Sequence, residues 1–426
     1  MMIVERYQGV VADASPGPPR IVGGPMSAQQ VAWTNASQEG FGRQRRIVLA
    51  VLCGAVFLDS LDVSMIGVAL PSIQGDVGMS TGSLQWVVSA YVLGYGGFLL
   101  LGGRAADLMG RRRQFLGALA VFVVTSAVAG LAISGSVLIA ARFVTGMSAA
   151  FSVPAGMSII TTSFPDGPMR NKALGLYAAT GGVGFSLGLV FSGLLTEIDW
   201  RMVFLVPAAV ATVTQIVGHR VLPQDVRPVG ARHRFDLAGA ITLTGSMLLL
   251  VYTIVEAPTA GWASLRTIAG FAAVVALLTL FVMLEQRREH PLVRLGILRS
   301  WPLVRAHLAA MTLIGAWFGL QFIATLYLQQ PRGWSPLETG LAVFPGGVLV
   351  TVVAPAIPSL IERFGVTRLI TAGLVCAAIA YPLFLRVDLD SSYAVAILPT
   401  MLLAGFAFAL AYGPLNVAAT TGIAAH

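Results

Sequence analysis

The chain has 426 residues, of which 56% are hydrophobic and 11% charged, with a mean hydropathy of +0.80. That leaves too little polar material to cover a water-soluble globule of this size, so most of its surface must face lipid. The formal charge of +8 falls in the gaps between apolar runs, which is the pattern of a membrane protein and not of a nucleic-acid-binding patch.

Residues 1–46 are rich in Gly, Ser and Gln, carry Pro16, Pro18, Pro19 and Pro25, and lack the apolar core of a signal peptide; they are expected to form a disordered cytoplasmic tail. Twelve stretches then follow that are long and apolar enough to cross a bilayer as helices. They are placed at 47–70, 84–103, 114–133, 136–158, 173–196 and 202–222, then 237–255 and 267–284, then 303–328, 338–360, 367–386 and 393–421. The runs are continuous, whereas barrel strands would alternate apolar and polar positions over about 10 residues. The fold class is therefore all-α and polytopic.

Orientation follows from the 27 basic residues. With the N-terminus inside, 20 lie on the cytoplasmic side and four, Arg201, Arg266, Arg332 and Arg386, on the other. Short cytoplasmic loops retain Arg and Lys, so the N-terminus is expected to be cytoplasmic and the protein multi-pass in the cell membrane.

Enzyme signatures are absent. No P-loop is present, the five His residues show no ligand spacing, and Cys53 and Cys376 both fall in predicted spans; no metal, cofactor or redox role is expected, and no ATP-driven cycle. Within the spans, the run Gly181, Gly184, Gly188, Ser192 places small residues at three- and four-residue steps, a stripe that lets a second helix approach closely; direct substrate contact is the alternative.

Charge inside the membrane is rarer and more informative, because each ionised group at mid-bilayer costs about 2.5–3.5 kcal/mol on insertion scales. Three candidates exist: Asp59 and Asp62 on one face of the first span, and Arg142 in the fourth. Desolvation favours the protonated form of a carboxylic acid, which suits exchange of a proton against a solute. The competing reading is that one of the acids and Arg142 form a fixed structural pair.

Between the second and third spans the chain reads Gly103-Arg104-Ala105-Ala106-Asp107-Leu108-Met109-Gly110-Arg111-Arg112-Arg113. This resembles the loop signature G-x-x-x-D-x-x-G-R-[KR] of the major facilitator superfamily. Leu61-Asp62-Val63-Ser64-Met65-Ile66-Gly67-Val68-Ala69-Leu70-Pro71 is similar to the first-span motif of its fourteen-span drug:proton antiporters, and Arg142-Phe143-Val144-Thr145-Gly146 resembles the fourth-span motif R-x-x-x-G. The resemblance implies a major-facilitator fold, a proton-coupling role for Asp62 and Arg142, and a conformational-switch role for Gly103, Asp107, Gly110, Arg111 and Arg112. In the fifth span the antiporter motif expects Gly-Pro, but this chain reads Gly188-Leu189-Val190-Phe191-Ser192-Gly193.

The loop signature recurs at 358–368, where Glu362, Arg363, Gly365 and Arg368 form a second copy with Glu362 and Gly365 each 255 residues after Asp107 and Gly110. An internal repeat is expected of this fold. The second copy falls two spans later than in a twelve-span transporter, which divides the chain into a six-helix bundle at 47–222, two extra helices within 223–300, and a C-terminal bundle at 301–426 with four helices, two fewer than the fourteen-span group has. The function expected is proton-coupled efflux of small lipophilic or cationic compounds by alternating access, with substrate, protons and lipid as partners. Proton-coupled uptake of a nutrient and a truncated, non-transporting membrane protein are the alternatives. Trp86, Trp317, Phe318 and Phe322 could line a binding cavity or serve as packing and interface anchors.

Overall fold

In lipid every backbone polar group must be satisfied within its own segment, so apolar runs of this length fold as helices. The computed structural model describes residues 42–165, 167–225, 237–287 and 300–420. The expected tail up to residue 41, most of both linkers around the extra helices, and the side chain of Asp107 lie outside what is described. Among the described residues, twelve helical segments are long and apolar enough to span a membrane, each matching one of the predicted runs.

The first six are α1 (Arg43–Val77), α2 (Thr81–Met109), α3 (Arg111–Gly130), α4 (Gly135–Ser163), α5 (Pro168–Ile198) and α6 (Met202–Val221). A hairpin follows, α7 (Leu237–Ala260) and α8 (Leu265–Gln286). The remaining helices are α9 (Trp301–Gln329), α10 (Pro336–Val353), α11 (Ile357–Phe364), α12 (Val366–Phe384) and α13 (Leu398–Thr420). A 3₁₀ turn at Ala354–Ala356 joins α10 to α11 into one span. Pro355 and Pro358 there each remove a backbone donor that a regular helix would need.

Polar caps start the helices where the chain leaves the apolar layer. Ser80 and Ser264 accept from the backbone N–H groups of Ser83 and Thr267. At α10, Ser335 and Glu338 form a reciprocal capping box ahead of Pro336 at the first turn.

Helices α1 to α6 pack as one bundle: α2 lies along α4, α1 along α5, and α3 against α4 and α6. Its core includes Met65, Leu70, Leu84, Leu138, Trp200 and Phe204. Helices α9, α10, α12 and α13 form a second group, with Trp317, Leu328, Val343, Ile397 and Met401 in its core. The α7–α8 hairpin sits apart from the contact between the groups, with α7 laid against α2.

The two groups meet chiefly along α5 and α10. There Gly193 lies so close to α10 that an added Cβ would stand 2.6 Å from the Leu337 Cα, and one on Gly340 would strike the Leu189 carbonyl. The described hydrogen bonds between the groups are Gln329 Nε2 to the Val68 carbonyl (2.9 Å), Gln330 Nε2 to Gln74 Oε1 (3.0 Å), and the Ser186 and Thr351 hydroxyls at 3.2 Å. The two glutamine contacts are at the end of the bundle remote from the Arg-rich α2–α3 turn.

Candidate functional site in the middle of the bundle

Asp59 and Asp62 sit near the midpoint of the 35-residue α1. Three residues apart, they share one helical face, and they are 8% and 2% exposed. Arg142 on α4 is 1% exposed and donates from Nη1 to Asp62 Oδ2 at 2.5 Å. The spacing of the fourth-span motif accounts for the rest of its surroundings. Gly146, one turn beyond Arg142, has no Cβ, and any Cβ there would collide with the Tyr91 carbonyl on α2; Gly94 in turn faces the Phe143 carbonyl. This close crossing brings α2 onto the guanidinium. Arg142 Nε donates to the Val87 carbonyl (3.3 Å), the Tyr91 ring centroid lies 4.7 Å from the guanidinium carbon, and the Phe204 ring of α6 lies 5.9 Å from it.

The guanidinium is thus held by an ion pair, a carbonyl and two ring faces. Taking two such charges out of water costs several kcal/mol per ion, and removing one partner from a buried pair costs about 3–5 kcal/mol because the other is stranded. Asp62 and Arg142 are each other's buried counter-charge.

Asp59 has a different environment. Its Oδ2 accepts from Ser152 Oγ of α4 at 2.9 Å, and among the described residues no cation stands within ion-pair distance. Ser152 also has the Ala149 carbonyl in reach at 3.3 Å. The phenols of Tyr91, Tyr95 and Tyr177 lie within electrostatic range of Asp59, so two acids on one helix face have unlike partners.

The small-residue stripe of α5 faces α1 over the same stretch. A Cβ on Gly184 would stand 2.6 Å from the Phe57 carbonyl, one on Gly188 would be 2.8 Å from the Leu61 carbonyl, and one on Gly181 3.3 Å from Ser60 Oγ. Ser192 donates to the Met65 carbonyl. These contacts bracket Asp59 and Asp62 and set the position of the acidic face.

At the Arg-rich end, Gly110 joins α2 to α3 with φ +94° and ψ 137°, and Gly365 joins α11 to α12 with φ +80° and ψ 154°. The two turn glycines, 255 residues apart, adopt nearly the same left-handed-side conformation. Gly103 is open to its surroundings, with nothing within 4 Å of a built Cβ. The α3 N-terminus is capped by Asp225, from just beyond α6, whose carboxylate accepts from the backbone N–H groups of Arg112 (2.9 Å) and Arg113 (3.2 Å). Arg112 Nη2 also donates to the His219 carbonyl at 2.6 Å. Arg111 is partly buried, and Glu362, Arg363 and Arg368 are exposed at the second turn.

Asp225, Ser152 and Tyr91 were not singled out from the sequence. An acid following Leu222-Pro223-Gln224 on the basic side was a visible signal for Asp225; nothing in the local sequence marks the other two. Of the aromatic candidates, Trp317 is buried and packs on Phe408 (5.2 Å), Phe318 meets Phe185 of α5 edge-on (5.8 Å), and Trp86 meets Tyr252 of α7 (5.9 Å). Phe322 packs against the core of the first bundle.

A family model described as Major Facilitator Superfamily matches residues 52–426. The puromycin resistance protein pur8 of Streptomyces alboniger is 35% identical over 400 residues, covering 92% of this chain and 78% of that protein. The cephamycin export protein CmcT of Amycolatopsis lactamdurans is 36% identical over 382 residues, covering 88% and 78%. Among solved structures, a peptide transporter POT in complex with sulfate superposes with a TM-score of 0.64 at 16% identity, covering 93% of this chain and 86% of that one. The nucleoside transporter NupG superposes at 0.61 with 13% identity, covering 87% and 82%. Such low identity speaks for the fold alone. The family match and the relatives agree over most of the length, and the chain belongs to the major facilitator superfamily.

Proposed function

We propose that this protein is a secondary active transporter, not an enzyme, that exports small lipophilic or cationic compounds in exchange for protons by alternating access of two helical groups. The observation that carries this reading is the buried Asp62–Arg142 pair with Asp59 one turn away at the centre of α1. Groups so costly to bury in a membrane are retained where they serve ion or substrate movement. Relatives named for puromycin resistance, cephamycin export and multidrug resistance support efflux as the direction.

In this reading the Arg-rich end is cytoplasmic and the protein resides in the cell membrane, following the positive-inside distribution. Within the superfamily, the first-span motif and the α7–α8 hairpin laid outside the contact between groups favour the fourteen-span drug:proton antiporters. The two glycine turns and their basic neighbours would bias the state closed at that end, with Asp107, Gly110, Arg111 and Arg112 in the first copy and Glu362, Arg363, Gly365 and Arg368 in the second. No cofactor is invoked; the proton gradient supplies the work.

The test is reconstitution in liposomes with an imposed pH gradient. Puromycin, lincomycin and tetraphenylphosphonium are each followed by radiolabel while a trapped dye reports protons. Export by exchange requires substrate and protons to move in opposite directions, and reversing the gradient must reverse the substrate. Movement of substrate and protons together would replace this reading by uptake, which the missing proline after Gly188 keeps as the second possibility. Absence of movement for the whole panel would refute the multidrug assignment.

A further inference from the structure

The geometry points to Asp59, and not the motif residue Asp62, as the carboxyl that takes up and releases the exchanged proton, with Asp62–Arg142 serving as a fixed strut. This inference rests on the proton-exchange reading above and assigns its chemistry to one residue.

The argument starts from what each acid would lose on changing its protonation state. Protonating Asp62 removes the counter-charge of a guanidinium that is 1% exposed and cannot turn to water. Arg142 is boxed in by Tyr91, Phe204 and the Val87 carbonyl, so it has no second acid to move to among these contacts. Among the described residues each member of the pair has the other as its ion-pair partner, so changing the charge of either strands the other. Asp59 strands nothing when it gains a proton, because no described cation is paired with it.

Ser152 can serve Asp59 in both states. With Asp59 ionised, the Ser152 hydroxyl donates to Oδ2 (2.9 Å). With Asp59 protonated, the carboxyl O–H donates to Ser152 Oγ and the serine hydrogen turns to the Ala149 carbonyl (3.3 Å). The proton passes between the Asp59 carboxyl and water that reaches the site, and no other covalent bond changes. The titratable groups around Asp59 are Asp62 on its own helix, Tyr91 and Tyr95 of α2, and Tyr177 of α5, while Arg142 of α4 is held on Asp62. A cationic solute arriving beside Asp59 would supply the missing counter-charge and expel the proton, which is the coupling that exchange requires.

Difference infrared spectroscopy of the full-length protein in lipid, taken through a pH titration without substrate, tests the assignment. The wild-type protein should show a protonated-carboxyl band that grows as pH falls. Asp59→Asn should abolish it, while Asp59→Glu should move it and so report the residue even if the asparagine variant folds poorly. The charge-neutral double variant Asp62→Asn with Arg142→Gln should retain it. A band unchanged in position and size in Asp59→Asn or Asp59→Glu, or one lost from the folded double variant, overturns the inference. Tetraphenylphosphonium-driven proton flux in liposomes separates the two claims: a wild-type band that tracks Asp59 without any such flux upholds the site and defeats the exchange reading.

Discussion

Replacing Gly110 by alanine tests how the signature loop is built. Its φ of +94° with ψ 137° lies where an L side chain is strained, a term of about 1–3 kcal/mol. The added Cβ would also overlap the Asp225 carboxylate, standing 2.6 Å from its Cγ and against its Oδ2. Asp225 would be pushed off the α3 N-terminus and lose its bonds to the Arg112 and Arg113 amides. A lost helix cap is worth about 0.5–2 kcal/mol, with the lower half favoured here because the site is only partly buried. Gly110→Ala should therefore cost about 2–4 kcal/mol from these two sources.

Gly365→Ala is the internal control. It has the same kind of backbone, φ +80°, but nothing within 4 Å of the new Cβ, so only the strain term applies. Asp225→Ala removes only the cap, and combining it with Gly110→Ala should add almost nothing, since the carboxylate is already displaced. Reversible unfolding in mixed micelles, followed by tryptophan fluorescence, gives all four values. If Gly110→Ala is no more destabilising than Gly365→Ala, or if the double variant is additive, the capping role assigned to Asp225 is wrong.

Arg142→Met should destabilise by about 3–5 kcal/mol in the same assay, because it leaves Asp62 buried without its cation, and a melting curve like that of the wild type would contradict the strut. Gly188→Val places side-chain atoms against Ser64 and the Leu61 backbone; overpacking of this kind costs about 1–3 kcal/mol, and substrate transport should fall with it as α1 and its acids shift. Gly340→Leu drives a side chain into the Leu189 carbonyl on α5, so it should hold the two helical groups apart and stop transport in liposomes while each bundle still folds; unimpaired transport would show that this contact is not needed in the cycle.

The acids illustrate how far local pattern reaches. Asp59 and Asp62 could be placed on one helix face from their three-residue spacing, and Arg142 could be seen as a rare charge inside an apolar run. Their pairing could not be derived, because Asp62 and Arg142 are 80 residues apart and Asp59 and Ser152 are 93 apart. Choosing which acid meets the guanidinium depends on the angle and depth at which α1 crosses α4. Glycines at positions 94, 146, 184 and 188 set how closely α1, α2, α4 and α5 approach one another, and a shift of one turn would reverse the assignment.

The twelve apolar helices, the asymmetric distribution of basic residues and the two turn glycines are legible in the chain before it folds. Each follows from chemistry carried within one segment: a helix in lipid satisfies its own backbone, and a glycine turn is set by its own φ. Helix packing is what gives Arg142 to Asp62, leaves Asp59 with a serine and no cation among the described residues, and lets Asp225 cap the signature loop from 113 residues away. Those are distances between segments, fixed by how side chains and missing side chains let helices pack, and no single segment contains them.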